Sequence, residues 1–267
     1  MAKDDHAVVI GVSGYPYLES LQGPAADADD FEAWLLNEGQ VDKKNVHKFT
    51  SRAYPPPPPA DPTERRVATE AFKVLADLFN NNGPIGRRLY LYMAGHGVTF
   101  TRDSGSRNVG VLMANATKDQ PKHNIPGLSY VDWFGRARAF DELVLFMDCC
   151  RAETVNAPPY CFPFRDRVGN TKTEVKTFYG FAAKADKTAF EQPFPSPHGP
   201  VRGVFTMGLL SGLRGGAKKN KRGRITGTSL KNYVWKYVDQ LLRNNERHEA
   251  DFLTSHDSSK TPDIEFP

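Results

Sequence analysis

Cysteine is scarce in this chain, with three in 267 residues, and two of the three are adjacent in LFMDCCRAET at residues 145–154. An odd number of cysteines that includes an adjacent pair makes a poor disulfide framework. A zinc site would need further ligands at regular spacing, whereas Cys161 stands alone in a proline-rich segment. We therefore expect a protein of the reducing cytoplasm that binds no metal, in which one cysteine of the pair is free for chemistry.

Long apolar runs and a large excess of charge are also lacking. No stretch approaches the roughly eighteen apolar residues of a membrane span, and the apolar run after the N-terminus is too short for a signal-peptide core. The net charge of +4 is modest for this length. The basic run KKNKRGR at 218–224 has no interleaved aromatic residues, which favours a solvated loop over a nucleic-acid site. The sequence predicts neither a membrane nor a nucleic acid as partner.

Apolar runs alternate with amphipathic segments along most of the chain. The runs predicted as strands are HAVVIGV (6–12), NVHKFTS (45–51), RRLYLYMAGHG (87–97), ELVLFMDCC (142–150) and VKTFYGFAAKA (175–185), with a short strand pair or edge element at 109–116. The segments predicted as helices are 21–41, 63–83, 129–140, 203–216 and 228–245. This alternation predicts an α/β fold with a largely parallel sheet. We expect one domain over residues 1–250, a polar tail at 251–267, and long loops at 99–110, 152–174 and 191–202.

Two reactive segments each follow an apolar strand. His96 comes after LYLYMAG, and the adjacent cysteines come after LVLFMD. Ligands of open parallel sheets lie beyond the carboxyl ends of the strands, so we expect these segments to lie close together. Cys150 follows His96 by 54 positions, which fits the caspase-type spacing of about fifty. An imidazole can generate the thiolate that attacks a carbonyl, although a structural histidine between Gly95 and Gly97 is the alternative.

Strand alternation separates the roles of the two cysteines. Side chains along a strand point to opposite faces in turn, so Asp148 and Cys150 should share one face and Cys149 should pack on the other. Cys150 is therefore the predicted nucleophile. A serine nucleophile is not predicted, because Tyr15 stands where GVSGYP would need a second glycine. Asp148, on the face of Cys150, could pair with a basic substrate side chain. Asp27, in the first turn of a predicted helix, could support the helix dipole by about 0.3–1 kcal/mol.

Together these motifs resemble the caspase-like cysteine peptidases of the C14 type, in particular the prokaryotic and metacaspase branch. YLYMAGHG is similar to the strand that ends in the family's catalytic histidine, and VLFMDCCRAE is similar to the strand that ends in Asp-x-Cys. FYGFAAKADKTAFEQ resembles a later strand that lines the substrate cleft. The resemblance covers roughly residues 6–240 and implies a three-layer α/β/α sandwich with a mainly parallel central sheet.

The resemblance also implies an activity, cysteine endopeptidase, with specific residues in each role. Cys150 would be the nucleophile and His96 the general acid–base, while the backbone amides of Gly97 and Cys150 would form the oxyanion hole. A protein or peptide substrate would present arginine or lysine to an acidic pocket, and no cofactor would be needed. The substrate-binding residues that the resemblance implies are Asp27, Asp148 and Ala183.

Regulation and an alternative function complete the expectations. Metacaspases carry histidine after the nucleophile, whereas Arg151 here is closer to the caspase pattern. Family members are often cleaved in the loop at 152–174, and self-cleavage by a basic-specific enzyme would suit Arg165, Arg167, Lys172 and Lys176. A regulatory protein partner is possible in this scheme. The alternative is a catalytically silent caspase-like scaffold that binds a partner protein.

Overall fold

The structure is a computed structural model, which describes residues 2–51, 66–80, 84–101, 107–119, 123–151, 168–169, 174–184, 187–195, 198–242, 250–254 and 263–267. The strands are β1 (Asp5–Gly11), β2 (Val46–Thr50), β3 (Gly86–Ala94), β4 (Gly97–Thr101), β5 (Arg107–Leu112), β6 (Asn124–Pro126), β7 (Phe140–Asp148), β8 (Lys176–Phe181), β9 (Glu191–Pro193), β10 (Val201–Gly203), β11 (Ile225–Thr226), β12 (Asp251–Thr254) and β13 (Glu265–Phe266). The α-helices are α1 (Pro24–Asn37), α2 (Arg66–Asn80), α3 (Gly127–Ala137), α4 (Val204–Ser211) and α5 (Gly227–Leu242).

Six strands form the central sheet in the order β12-β8-β7-β3-β1-β2. Every neighbouring pair is parallel except β12 and β8, which are antiparallel. Leu89 to Ala94 of β3 are all buried, because helices cover both faces of the sheet and neither face of the strand meets solvent. The predicted α/β fold with a mainly parallel sheet is confirmed, as are its five main strands.

The helices form a layer on each face of the sheet. Side chains of α2 and α3, such as Leu75 and Phe134, pack into the core on one face. Side chains of α1, α4 and α5, such as Phe31, Leu209 and Val234, pack into the core on the other. This arrangement is the three-layer α/β/α sandwich that the resemblance implied. None of the described helices is both long enough and apolar enough to cross a bilayer.

Several short strands lie where loops or a tail were predicted. β4 pairs with β5, and β9 pairs with β10, so the described parts of 99–110 and 191–202 contain antiparallel ladders. Within 251–267, β12 extends the central sheet and β13 pairs with β11. The described part of the predicted tail is thus built into the domain. Five of these seven strands, β9 to β13, have two to four residues, which is too few to show a periodic pattern in the sequence.

The predicted self-cleavage region lies mostly outside the described residues, which include neither Arg165, Arg167 nor Lys172. Lys176 is described, and it is the first residue of β8, in parallel register with Glu142. Its ammonium group is 3.9 Å from a Glu142 carboxylate oxygen. Lys176 therefore lies in the central sheet rather than in the loop at 152–174, and self-cleavage there stays a prediction.

Candidate active site

The carboxyl ends of β3 and β7 bring the predicted reactive residues together. The two strands are parallel neighbours, with Ala94 in register with Asp148, so His96 and Cys150 follow adjacent strand ends. Both residues line one cavity of about 210 Å³, together with Asp27 and Asp148. The remaining lining residues are Leu21, Pro24, Ala94, Gly95, Cys149, Thr188, Ala189, Phe190, Glu191 and Gly203. Four of the predicted site residues therefore share a single cavity.

Two other predicted site residues occupy different surroundings. Gly97 begins β4, and a Cβ there would lie 2.2 Å from the Cys150 carbonyl oxygen and 2.6 Å from Cys149 Sγ. Only glycine allows this close approach of β4 to the cysteine segment. Ala183 is fully buried, and its carbonyl oxygen accepts a hydrogen bond from Arg151 at 3.3 Å. Among the described residues, the cavity lining does not include Ala183, so a direct substrate contact by its side chain has no support here.

The imidazole of His96 is fixed by the loop at 12–23, which we call the β1–α1 loop. Nε2 lies 2.6 Å from the Glu19 carbonyl oxygen, which can only accept a hydrogen bond. The Nε2 atom therefore carries the proton, and in the neutral ring Nδ1 holds the basic lone pair. The loop is held in turn by Ser51, whose hydroxyl oxygen accepts hydrogen bonds from the N–H groups of Ser13 and Gly14 at 2.8 and 3.0 Å.

Tyr15 of the same loop contacts His96 in two ways. Its ring lies against the imidazole with a centroid separation of 4.7 Å. Its hydroxyl accepts a hydrogen bond from the His96 backbone N–H and donates one to the Leu112 carbonyl, both at 3.0 Å. Burial raises the pKa of Tyr15 well above its ordinary value, so the hydroxyl stays a neutral donor. Gly95 makes room for it, because its φ is +152° and a Cβ there would lie 2.6 Å from the hydroxyl oxygen.

The two cysteines differ in their surroundings, as the alternation predicted. Cys149 is 1% exposed and packs in the core between the sheet and the layer of α2 and α3. Cys150 is partly exposed, and its thiol donates to the Ala189 carbonyl oxygen at 3.9 Å. Burial raises the pKa of the Cys150 thiol and raises that of Cys149 further. Cys150 is thus the accessible sulfur, and at neutral pH it is protonated until a base acts on it.

Asp27 and Asp148 are both nearly buried, at 1% and 7% exposure, and both contact Gly203. Asp148 Oδ2 accepts from the N–H and hydroxyl of Thr206 at 3.1 and 2.6 Å, and Asp27 Oδ2 accepts from the Gly203 N–H at 2.8 Å. Burial raises the pKa of Asp148 to about 6. Burial, and then the charge of Asp148, raise the pKa of Asp27 to about 8. The two carboxyl groups thus interact with each other as a pair of acids.

Two further charged residues, both on the β9–β10 hairpin, belong to this cluster and were not predicted. Glu191 lines the cavity, and its two carboxylate oxygens accept from the N–H groups of Gln22 and Gly23 at 3.0 and 2.9 Å. Arg202 Nη1 lies 3.2 Å from Asp27 Oδ1, and Arg202 Nη2 contacts the Asp30 carboxylate. These contacts join residues more than 160 positions apart, and no spacing within the sequence indicates them.

Arg151, the residue after the predicted nucleophile, packs against its neighbours and does not line the cavity. It is 6% exposed, and its guanidinium lies 4.6 Å from the Phe181 ring centroid. Nη1 donates to Asp251 Oδ2 at 2.8 Å, and the Arg151 carbonyl accepts from the Thr99 hydroxyl at 3.0 Å. Its departure from the metacaspase pattern therefore concerns the support of the cysteine segment.

Comparison with known proteins gives a consistent result. The protein-family model of the caspase domain matches residues 4–260 of this chain. A probable protease from a Desulfuromonadales bacterium is 26% identical over 224 residues, which make up 78% of this chain and 26% of that protein. The chain thus spans about a quarter of the length of this curated relative.

Solved structures show the same fold at low identity. Caspase-1 from Spodoptera frugiperda superposes with a TM-score of 0.58 at 12% identity, covering 94% of this chain and 86% of the caspase. A protein from Geobacter sulfurreducens superposes with a TM-score of 0.57 at 12% identity, covering 99% of this chain and all of that protein. These likenesses confirm the caspase-like fold that the sequence predicted.

Proposed function

Because the chain belongs to the caspase domain family of peptidases, we propose that it is a cysteine endopeptidase that cleaves peptide bonds after arginine or lysine. The proposal rests on the single cavity that His96, Cys150, Asp27 and Asp148 line together. Among the described residues, the cavity lining includes carboxyl groups but neither lysine nor arginine. Such a lining attracts a cationic substrate side chain. The substrate is a protein or peptide, and the chemistry uses no cofactor.

The proposed reaction begins with transfer of the Cys150 thiol proton to Nδ1 of His96. The Nε2–H bond to the Glu19 carbonyl supports this assignment, because it leaves Nδ1 as the basic atom. The Cys150 thiolate sulfur then attacks the scissile carbonyl carbon. Backbone N–H groups of Gly97 and Cys150 stabilise the negative charge that forms on the carbonyl oxygen.

The remaining steps return both residues to their starting states. The C–N bond breaks as the His96 imidazolium gives its proton to the leaving amine, which leaves a thioester on Cys150. Water attacks the thioester while His96 accepts a proton from it, and the sulfur leaves as the peptide acid is released. His96 then returns the proton to the Cys150 sulfur. A thiol whose pKa is raised by burial requires such a base, and this is consistent with His96 at the neighbouring strand end.

Replacement of Cys150 by alanine tests the mechanism. Cys150→Ala should lower kcat/KM on arginine- and lysine-ended peptide substrates by about 10⁴-fold or more, because the nucleophile is gone. Cys149→Ala is the matched control and should keep most of the activity, since Cys149 packs in the core. Release of a fluorescent leaving group measures both. Activity that survives Cys150→Ala would contradict the mechanism.

One observation favours a second candidate, a catalytically silent scaffold that binds a partner protein. In the described contacts, the Cys150 thiol bonds the Ala189 carbonyl and the His96 ring bonds the Glu19 carbonyl, rather than each other. A thiol-reactive inhibitor with an arginyl side chain separates the candidates, because a competent nucleophile is alkylated by it and a silent scaffold is not. Free thiols at Cys149 and Cys150 suit the cytoplasmic location that we propose for either function.

A further inference from the structure

Two hydroxyl groups form a chain behind the Asp148 carboxylate. Thr206, in the first turn of α4, donates its hydroxyl to Asp148 Oδ2 at 2.6 Å, and the Thr206 oxygen lies 2.7 Å from the Tyr92 hydroxyl of β3. Thr206 and Tyr92 are fully buried, and neither is among the described residues that line the cavity. Both hydroxyl groups therefore act on the pocket through Asp148 and not by contact with a substrate.

The direction of this chain follows from its donors. A hydroxyl group has one proton, and Thr206 gives its proton to the carboxylate, so Tyr92 donates to the Thr206 oxygen. Burial, and then the charges of Asp27 and Asp148, raise the pKa of Tyr92 well above its ordinary value, so Tyr92 stays a neutral donor. A proton on Asp148 Oδ2 would reverse the chain and leave the Tyr92 proton without an acceptor among the described contacts. The chain thus favours the ionised form of Asp148.

The amino end of α4 adds a second donor to the same oxygen. Gly203, which precedes the helix, has no side chain to cap it, and the Thr206 N–H donates to Asp148 Oδ2 at 3.1 Å. Asp148 therefore caps α4 from β7, where the positive end of the helix dipole favours a negative charge. None of the described hydrogen bonds engages Asp148 Oδ1, so this oxygen is available to a substrate.

Asp27, the other acid of the pair, has weaker support. Its Oδ2 accepts one N–H, from Gly203 at 2.8 Å, and Arg202 lies 3.2 Å from Oδ1 without a hydrogen bond between them. Two carboxyl groups in one buried volume do not both ionise easily, because each charge opposes the other. Burial raises the pKa of both acids, to about 6 for Asp148 and to about 8 for Asp27, so Asp148 ionises first.

Other titratable or charged groups also surround Asp148. They are Asp27 of α1, Glu191 of β9, Arg202 of β10, and His96, Cys149 and Cys150 at the strand ends. In the described hydrogen bonds, the hydroxyl groups of Thr206 and Tyr92 contact none of them. Removal of either hydroxyl therefore alters Asp148 and leaves the contacts of the other groups in place.

We propose that Thr206 and Tyr92 are positioning residues of the substrate pocket, whose hydroxyl groups keep Asp148 ionised and oriented. Asp148, rather than Asp27, then forms the ion pair with the cationic side chain of the substrate. The inference rests on the proposed function, and it gives different roles to two acids that the family resemblance treats alike. Without the Thr206 hydroxyl, Asp148 keeps its proton to a higher pH, and the pocket loses its charge where the wild type still has it.

The test measures how the recognition of charge depends on pH. Two peptides that differ only in arginine or citrulline, which has nearly the same shape without the charge, are assayed from about pH 5 to about pH 9. The ratio of their kcat/KM values cancels the titration of Cys150 and His96, which affects both peptides alike. In the wild type this ratio should rise with pH as Asp148 ionises. Thr206→Val should move the rise upward by roughly 1–2 pH units, which lowers the ratio at pH 7 by about 2–10-fold, because a hydrogen bond to the charged form is lost.

Three further variants separate the hydroxyl chain from packing. Thr206→Ser keeps the hydroxyl and should keep the wild-type profile. Tyr92→Phe removes the donor behind Thr206 and should shift the profile in the same direction by a smaller amount. Tyr90→Phe is the matched control, because it removes a buried hydroxyl two residues earlier on the same face of β3, where the partner is Arg88. The profile of Tyr90→Phe should match that of the wild type.

A structural role alone would give a different result. If Thr206 only packs α4 against the sheet, Thr206→Val should weaken both peptides equally at every pH, and a ratio that keeps its wild-type profile would overturn the proposal. A shift in Thr206→Ser as large as that in Thr206→Val would overturn it too. Should Thr206→Val fail to fold, Tyr92→Phe decides, since a shift that Tyr90→Phe lacks supports the proposal and a wild-type profile overturns it.

Binding measurements keep this inference distinct from the proposed activity. In the Cys150→Ala background, calorimetry measures the affinity for the two peptides over the same pH range. A preference for arginine whose pH dependence moves in Thr206→Val supports the inference even if the wild type cleaves neither peptide, a result that would refute only the proposed activity. Cleavage after arginine with a pH profile that Thr206→Val leaves in place would refute only the role of Thr206 and Tyr92. Equal affinity for the two peptides at every pH would overturn both.

Discussion

At the scale of single residues, the Tyr15 hydroxyl bridges two backbone groups, the His96 N–H and the Leu112 carbonyl. The Leu112 N–H donates directly to the His96 carbonyl at 2.7 Å, but the His96 N–H and the Leu112 carbonyl both bond Tyr15 instead. The Tyr15 hydroxyl thus links the backbone of His96 to the last residue of β5, Leu112. Because the ring also contacts the imidazole, backbone and side chain of His96 are held by one residue.

Tyr15→Phe should remove this support while keeping the ring. Two buried backbone groups lose their partner, and a small displacement of a catalytic group is costly, so we expect kcat to fall about 10-fold with little change in KM. The check is steady-state kinetics, together with the pH dependence of alkylation of Cys150, which reports on the position of His96. Tyr237→Phe on α5 removes a hydroxyl elsewhere and should change neither. Equal effects of the two variants would argue against a positioning role.

The residue scale also shows which parts of the site could be predicted. Alternation along β7 predicted that Cys149 packs in the core and that Cys150 is the more accessible of the two, and Cys149 is indeed 1% exposed whereas Cys150 is partly exposed, although both line the cavity. Asp27 could serve the helix dipole or a pocket, and only its contacts with Gly203 and Arg202 show that it lies in a buried cluster. Tyr15 acts through backbone groups, which leave no signal in a sequence.

At the scale of elements, β12 supports the segment that carries Cys150. Asp251 at the start of β12 accepts from Arg151 at 2.8 Å, and Arg151 also bonds the Ala183 carbonyl just after β8. The Arg151 N–H donates to the Lys187 carbonyl at 3.0 Å. The cysteine segment is therefore tied to the edge of the central sheet by a strand that lies about 100 residues later in the chain.

Asp251→Ala should weaken this tie. It leaves the nearly buried Arg151 guanidinium without its carboxylate, so we expect the free energy of unfolding to fall by about 1–3 kcal/mol. Urea unfolding followed by fluorescence measures the change. Asp77→Ala, at an exposed position of α2, is the control and should have little effect. An unchanged urea midpoint for Asp251→Ala would show that the contact does not stabilise the domain.

Element length explains which elements the sequence could indicate. The strands β3 and β7 each have nine residues and are almost continuously apolar, because both faces of each strand are buried. The strands β9, β10 and β12 have three or four residues, too few for a recognisable pattern, and they depend on partners already in place. The hairpin that carries Glu191 and Arg202 therefore could not be distinguished from a loop.

At the scale of the whole molecule, the strand order explains where the site lies. The chain passes from β1 through α1, on one face of the sheet, to β2. It then passes through α2, on the opposite face, to β3, which lies on the other side of β1. The order therefore reverses between β1 and β3, and crevices form at the carboxyl ends of such strands. The β1–α1 loop and His96 follow these two strands, and the cysteines follow the next strand, β7. This location was predictable, whereas the acid cluster within it depends on the later hairpin.

The buried acid cluster also makes the stability of the whole domain depend on pH. The pKa of Asp27 is raised from 3.8 to about 8, chiefly by burial and by the Asp148 charge, so the folded state binds the proton more tightly than the unfolded state does. Its stabilising contribution is fully present below about pH 4 and is lost as pH rises to about 8. Asp27→Asn imitates the protonated acid and should make the urea midpoint less dependent on pH between pH 5 and 8. Asp29 lies on α1, as Asp27 does, and its carboxylate is paired with Lys48 of β2. Asp29→Asn should therefore keep the wild-type dependence of the urea midpoint on pH. If Asp27→Asn kept it as well, the loss of stability at high pH would have to arise elsewhere in the cluster.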